Sequence, residues 1–179
     1  MGESPERQEP RATIPEYDFE EGVEKIDAKI KQLLTKQDVV VVAFGTYGTN
    51  VGKTTLAKTL VEKLTKDKIP AVTSVDDPDE LVPGGGWKTP LEHVQKFFES
   101  NKAVIIFQQL EMGLGYNPDF IPTAKQAQND RTVDAFKKMG YTIKGIDLWV
   151  TIYRPDRPLA EKIKSWGDII VRNDEARNK

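Results

Sequence analysis

The sequence predicts an α/β fold of three layers, in which helices cover both faces of a parallel sheet. The first observation is the run VVVVAF at 39–44, which contains no polar residue. A run without alternation of polar and apolar residues indicates a strand that is buried on both faces. The second observation is that further apolar runs alternate with segments of helical spacing. That alternation favours a parallel sheet, because parallel strands are joined by helical crossovers.

Five strands and five helices make up this prediction. The strands are predicted over 39–44, 68–75, 103–107, 147–153 and 168–172. The helices are predicted over 19–36 and 53–66, from the capping box TPLE at 89–92 onward, between Asp130 and Gly140, and over 155–165. The first helix is amphipathic, and we expect it to pack on an edge of the sheet. Residues 1–17 are polar, with three prolines, and are predicted to be a flexible arm; residues 18–179 are predicted to form a single domain.

Composition limits the classes of function. The chain has 179 residues, of which 38% are hydrophobic and 30% charged, with a net charge of −2 and no cysteine. This charge gives no electrostatic footprint for nucleic acid or an anionic membrane, and the lack of cysteine excludes disulfides and thiolate chemistry. No apolar run approaches the ~20 residues of a membrane span, and the N-terminal residues do not resemble a secretory signal. We therefore expect a cytoplasmic enzyme that acts on small molecules, with its oligomeric state left open, a homodimer included.

A phosphate-binding loop is predicted where the first strand meets the second helix. The chain continues through GTYGTNVGKTT at 45–55, so glycines and small polar residues lead into Gly-Lys-Thr at a helix start. In such a loop the backbone N–H groups and the helix N-terminus bind phosphate, a lysine reaches the terminal phosphates, and a threonine hydroxyl holds Mg²⁺. The residues assigned to the nucleotide phosphates are Gly48, Thr49, Asn50, Val51, Gly52, Lys53, Thr54 and Thr55, and Thr54 is also assigned to the metal. The alternative interpretation is an ordinary strand-to-helix turn, since the pattern G-x-x-x-x-G-K-[ST] would have glycine where this chain has Tyr47.

Polar side chains follow several of the predicted strands. Asp76 and Asp77 come after the second strand, Arg154 after the fourth and Asn173 after the fifth. Because the carboxyl ends of parallel strands lie along one edge of a sheet, where ligands bind, we expect these residues to converge on the phosphate loop. Asp76 could accept a proton from a hydroxyl or hold Mg²⁺ through water. The alternative is a turn aspartate ahead of Pro78.

Three further side chains each have two interpretations. Trp87, in the loop PGGGW, could stack on a base or sugar, or close the core. Arg154 and Arg157 could bridge phosphates and neutralise developing charge, or form a solvated basic turn.

These motifs resemble those of the P-loop small-molecule kinases, especially the uridine-kinase-like branch. The matching pieces are the helix before the first strand, GKTTLAKTL at 52–60, SVDDP at 74–78, PGGGW at 83–87, DLWV at 147–150 and DIIVRN at 168–173. The resemblance implies a P-loop NTPase fold with sheet order 2-3-1-4-5. It also implies transfer of the γ-phosphate of ATP, with Mg²⁺, to a hydroxyl of a nucleoside or similar small molecule.

The resemblance also implies roles for individual residues. Lys53 would hold the phosphates, and Asp76 would be the base. Arg154 and Arg157 would belong to a lid, and Asn173 would lie near the adenine.

The phosphate acceptor would lie beyond the γ-phosphate. We assign Asp77, Trp87 and Glu111 to this acceptor. Gln108 and Gln109 follow the third strand, where P-loop enzymes usually have an acidic residue that holds Mg²⁺ through water. Glu111 could substitute for that residue.

Two alternative functions remain. The loop GTYGTNVGKT is also similar to that of dethiobiotin synthetase and the cobyric acid synthase group, which would make the chain an ATP-dependent ligase or ATPase. That group has an aspartate after the third strand, which is absent here. Gln108 and Gln109 suggest the other alternative, a nucleotide-binding protein without catalysis.

Overall fold

The computed structural model describes residues 14–46, 52–73, 102–107, 121–138, 142–156 and 167–174. In chain order the elements are β1 (Glu16–Asp18), α1 (Phe19–Leu34), β2 (Val39–Thr46), α2 (Lys53–Lys66), β3 (Ala71–Thr73), β4 (Ala103–Phe107), α3 (Ile121–Lys138), β5 (Leu148–Tyr153) and β6 (Ile169–Arg172).

The described strands form one sheet of six, all parallel, in the order β1-β6-β5-β2-β4-β3. The predicted α/β class and parallel sheet are confirmed. The predicted count of five strands is wrong, because β1 pairs with β6 and adds an edge strand, so the complete order differs from 2-3-1-4-5. Without β1 the sheet runs β3-β4-β2-β5-β6, which are the second, third, first, fourth and fifth of the predicted strands. The central strand is β2, which precedes the predicted phosphate loop.

The helices α1 and α2 pack on one face of the sheet. Alternate residues of β2, among them Val40, Val42 and Phe44, join the buried side chains of both helices in one apolar cluster. The opposite face carries α3, where the ammonium of Lys125 lies 5.0 Å from the centroid of the Trp149 ring. Trp149 faces away from the cluster because side chains alternate along a strand. Helices therefore lie on both faces of the described sheet.

The helix α1 forms as its sequence predicts. Asp18 accepts a hydrogen bond from the backbone N–H of Glu21 at 2.8 Å and caps the first turn. Its buried apolar positions recur at helical spacing: Val23, Ile26, Ile30 and Leu34. Burying each such side chain contributes about 1.5–3 kcal/mol, so this face fixes the helix on the sheet. The helix packs across β1, β6 and β2, and thus covers part of a sheet face rather than an edge alone.

Two further sequence predictions need correction. Glu16 and Tyr17, the last residues assigned to the flexible arm, belong to β1 and pair with Ile170 and Val171. The helix α3 begins at Ile121, well before the predicted start at Asp130. Its polar first half lacks a clear apolar stripe, which is the signal on which the prediction relied.

Other predicted elements lie partly or wholly outside the described residues. The helix expected from Thr89 falls outside them. Of the helix expected over 155–165, only 155–156 are described, and these form a turn. No helix of the described segments combines the length and apolar character that crossing a membrane requires.

Candidate functional site

The helix α2 begins at a glycine in the left-handed conformation, at the end of the segment predicted to bind phosphate. Gly52 caps the helix in the left-handed region, with φ 97° and ψ 19°, and has no side chain to cap the exposed N–H groups. Its carbonyl accepts from the N–H of Leu56 at 2.9 Å, which closes the first helical turn. The first N–H groups of a helix have no partner within the helix, and with the helix dipole they favour a negative charge.

Asn173 lies directly against Gly52. A methyl group built on Gly52 would come within 2.0 Å of Nδ2 of Asn173 and 3.8 Å of Cδ1 of Ile152. Glycine is therefore required at position 52 for two reasons, its positive φ and this close approach. The contact brings together the start of α2 and the residue that follows β6.

The backbone of Asn173 is held at the carboxyl edge of the sheet. Its N–H donates to the carbonyl of Tyr153 at 2.9 Å, and the residue is only 6% exposed. Tyr153 ends β5, which pairs with β2 so that Thr46 lies opposite Ile152. The ends of β2, β5 and β6 thus lie close to the start of α2, where ligands bind in open parallel sheets.

The three residues that follow Gly52 are the predicted phosphate and metal residues. Lys53 and Thr54 are half-buried and Thr55 is exposed, all within the first turn of α2. An ammonium and a hydroxyl at this place supply a charge for phosphate oxygens and a hard oxygen ligand for Mg²⁺. This chemistry fits a bound nucleotide with its metal.

Arg154 follows β5, and its guanidinium is bound to a neighbouring carboxylate. Nε and one terminal nitrogen donate to the two oxygens of Asp156 at 2.9 and 2.8 Å. The side chain is only 12% exposed. A phosphate that approached Arg154 would share the guanidinium with Asp156 or displace it.

The remaining predicted site residues lie outside the described segments. They are Gly48, Thr49, Asn50 and Val51 of the loop, Asp76 and Asp77 after β3, and Trp87, Glu111 and Arg157. Their assignments stay predictions. In the described segments, no three or more histidine, cysteine or acidic side chains come together in a way that could hold a metal ion.

Sequence reasoning missed two perturbed groups at the sheet. Burial, with a hydrogen bond to Glu16, raises the pKa of Tyr153 to about 12. Burial against the sheet lowers the pKa of Lys125, opposed by the charge of Asp168. The position of Tyr153 at the end of an apolar strand is a sequence signal for its raised pKa. No local sequence pattern indicates the lowered pKa of Lys125.

Comparison with known proteins leaves the family open. Neither the protein-family models nor the curated proteins give a match to this chain. The resemblance to P-loop kinases therefore remains an expectation based on its motifs.

Proposed function

We propose that the protein is an ATP-dependent phosphotransferase that moves the γ-phosphate to a hydroxyl of a nucleoside or similar small molecule. The observation that carries this proposal is the left-handed Gly52 followed by Lys53 and Thr54 at the start of α2, at the carboxyl edge of a parallel sheet. Glycine in this geometry lets a phosphate approach the backbone, and the two side chains supply charge and a metal ligand.

The reaction follows from the roles assigned to this chain's residues. The acceptor hydroxyl gives its proton to Asp76, and its oxygen forms a bond to the γ-phosphorus. The bond from that phosphorus to the bridging oxygen breaks, and ADP leaves. Lys53 stabilises the charge on the phosphate oxygens, with Arg154 and Arg157 in support. Mg²⁺, held by the Thr54 hydroxyl and phosphate oxygens, would neutralise further charge.

The first test is whether nucleotide binding depends on Lys53. Lys53→Ala should weaken ATP binding by about 10–100-fold in titration calorimetry, because one charge-assisted contact is lost. Lys58→Ala is the matched control, since it removes the same charge from an exposed position of the same helix. Equal affinities for the two variants, or no binding of ATP to the native chain, would refute the proposal.

The second test separates transfer from binding. When the native protein is incubated with ATP, Mg²⁺ and a panel of nucleosides, mass spectrometry should detect a nucleoside phosphorylated at a hydroxyl group. Asp76→Asn should reduce that transfer by about 10²–10⁴-fold while nucleotide still binds, because only the base is removed. Retained transfer would exclude Asp76 as the base.

A nucleotide-binding protein without catalysis is the second candidate. It is favoured by Gln108 and Gln109, since amides cannot act as a base and coordinate Mg²⁺ more weakly than a carboxylate. This candidate predicts ATP binding without ADP formation for every acceptor tried. A ligase would instead turn over only with a carboxylate substrate, and the product's mass would identify it.

A further inference from the structure

The residue that links the start of α2 to the sheet is Asn173. Its backbone N–H donates to the Tyr153 carbonyl at 2.9 Å, and only 6% of the residue is exposed. A buried residue held at its backbone has little freedom to move its short side chain. We therefore expect the amide of Asn173 to keep one position at the edge of the sheet.

The part of the helix that this amide meets is the backbone of Gly52. A methyl group on Gly52 would approach Nδ2 to 2.0 Å and the side-chain carbonyl carbon of Asn173 to 3.3 Å. The missing side chain at position 52 thus makes room for the amide at position 173. Lys53 and Thr54 follow Gly52 directly, so any movement of Gly52 moves them as well.

We propose that Asn173 is a positioning residue of the triphosphate site, which acts through the backbone of Gly52 to fix where α2 begins. This inference rests on the proposed function, because it assumes that the start of α2 receives the phosphates. It gives Asn173 a different role from adenine recognition. A residue that positions the helix start affects every triphosphate equally, whereas a residue that contacts adenine affects ATP alone.

An amide at position 173 also suits this role better than a carboxylate would. Aspartate has nearly the same shape as asparagine, but it would place a negative charge beside the helix start. That charge would repel a triphosphate at short range, where two unit charges interact strongly even with partial solvation. The amide keeps the contact with Gly52 and leaves the helix start electropositive.

The experiment measures the affinity of three ligands that share only the triphosphate: ATP, GTP and inorganic triphosphate, each with Mg²⁺. Asn173→Asp should weaken all three by the same factor, about tenfold or more, and added salt should shrink that loss because it screens the repulsion. Asn173→Ala should weaken all three equally and by less, without the dependence on salt. Asp174→Ala is the control, since its exposed carboxylate pairs with Arg172.

Each outcome decides the proposal. All titrations are run well below the unfolding midpoint of each variant, so a loss of stability alone leaves the affinities unchanged. Loss for ATP with GTP and triphosphate unchanged would overturn the inference in favour of base recognition. Unchanged affinities for all three would show that Asn173 has no role in binding. A native chain that binds none of the three would refute the proposed function, and the inference with it.

Discussion

Backbone conformation and packing both require glycine at position 52. Its φ of 97° lies where a side chain is strained, and a methyl group would meet Asn173. Gly52→Ala should therefore lower the free energy of unfolding by at least about 1–3 kcal/mol, measured by urea denaturation. It should also weaken nucleotide binding, because the start of α2 has to move. Lys58→Ala, exposed on the same helix, should change stability by less than about 0.5 kcal/mol.

Thr151 carries a hydroxyl group that loses its contact with water on folding. Its Oγ1 is buried in β5 and has no hydrogen-bond partner among the residues that the structure describes. Thr151→Val should raise the free energy of unfolding by about 1 kcal/mol, since it replaces the unsatisfied hydroxyl with a methyl group of similar shape. Urea denaturation at constant m-value checks this. A lower free energy of unfolding for Thr151→Val than for the native chain would show that the hydroxyl makes a hydrogen bond.

Gly167 provides the companion substitution at the same contact. A methyl group there would lie 2.4 Å from Oγ1 of Thr151 and 3.2 Å from its backbone nitrogen. Gly167→Ala should therefore destabilise the native chain, because both the hydroxyl and the backbone of Thr151 must shift to admit the methyl group.

Part of the site could be predicted from local sequence, and part could not. Lys53 and Thr54 follow a buried strand and a glycine-bearing loop, so their place at a helix start was readable from neighbouring residues. The contact between Gly52 and Asn173 joins residues far apart in the chain, and it depends on which strands are neighbours. The pairing of Arg154 with Asp156 was also missed, although the two residues are close in sequence.

At the scale of elements, one edge of the sheet depends on a polar contact between strands. Tyr153 of β5 is buried and hydrogen-bonded to Glu16 of β1, while Arg172 of β6 lies 3.7 Å from Glu16. Burial and the carboxylate both favour the neutral phenol, so the pKa of Tyr153 rises to about 12. These contacts help to hold β1 on the sheet.

The raised pKa of Tyr153 predicts a loss of stability in alkaline solution. The pKa of Tyr153 in the folded state, about 12, exceeds its ordinary value of 10.0. The stability that follows from this shift is therefore fully present below pH 10 and is lost as the pH rises through 12. Tyr153→Phe should be less stable than the native chain at pH 7 by about 1 kcal/mol, for one lost hydrogen bond. That difference should shrink between pH 10 and 12, as urea denaturation at each pH would reveal. A difference that stays constant across this window would contradict the raised pKa.

The elements also mark where sequence prediction succeeded. The bounds of α2 and β4 agree with prediction, because each has a clear apolar pattern and a clear start or stop. The strand β1 was missed because Glu16–Asp18 is short and follows prolines, so only its pairing with β6 identifies it. The early half of α3 was missed because its residues are mostly polar.

At the scale of the whole molecule, the parallel sheet brings the start of α2 and the ends of β2, β5 and β6 to one edge. This architecture supports many unrelated activities, so the function depends on the residues at that edge. Those described there point to a ligand rich in negative charge, because they combine a helix start, a positive-φ glycine and a lysine. Under the proposed function, the triphosphate rather than the base should therefore supply most of the binding energy.

That division of binding energy predicts how ligands change the stability of the folded chain. A ligand that binds only the folded state at 100 times its dissociation constant adds about 2.7 kcal/mol, which for a chain of this size raises the unfolding midpoint by about 5–10 °C. ATP with Mg²⁺ and inorganic triphosphate with Mg²⁺ should both produce such a shift in a thermal melt, whereas AMP should produce little. Lys53→Ala should diminish both shifts, and Lys58→Ala should leave them intact. Equal shifts with AMP and ATP would mean that the base, and not the start of α2, dominates binding.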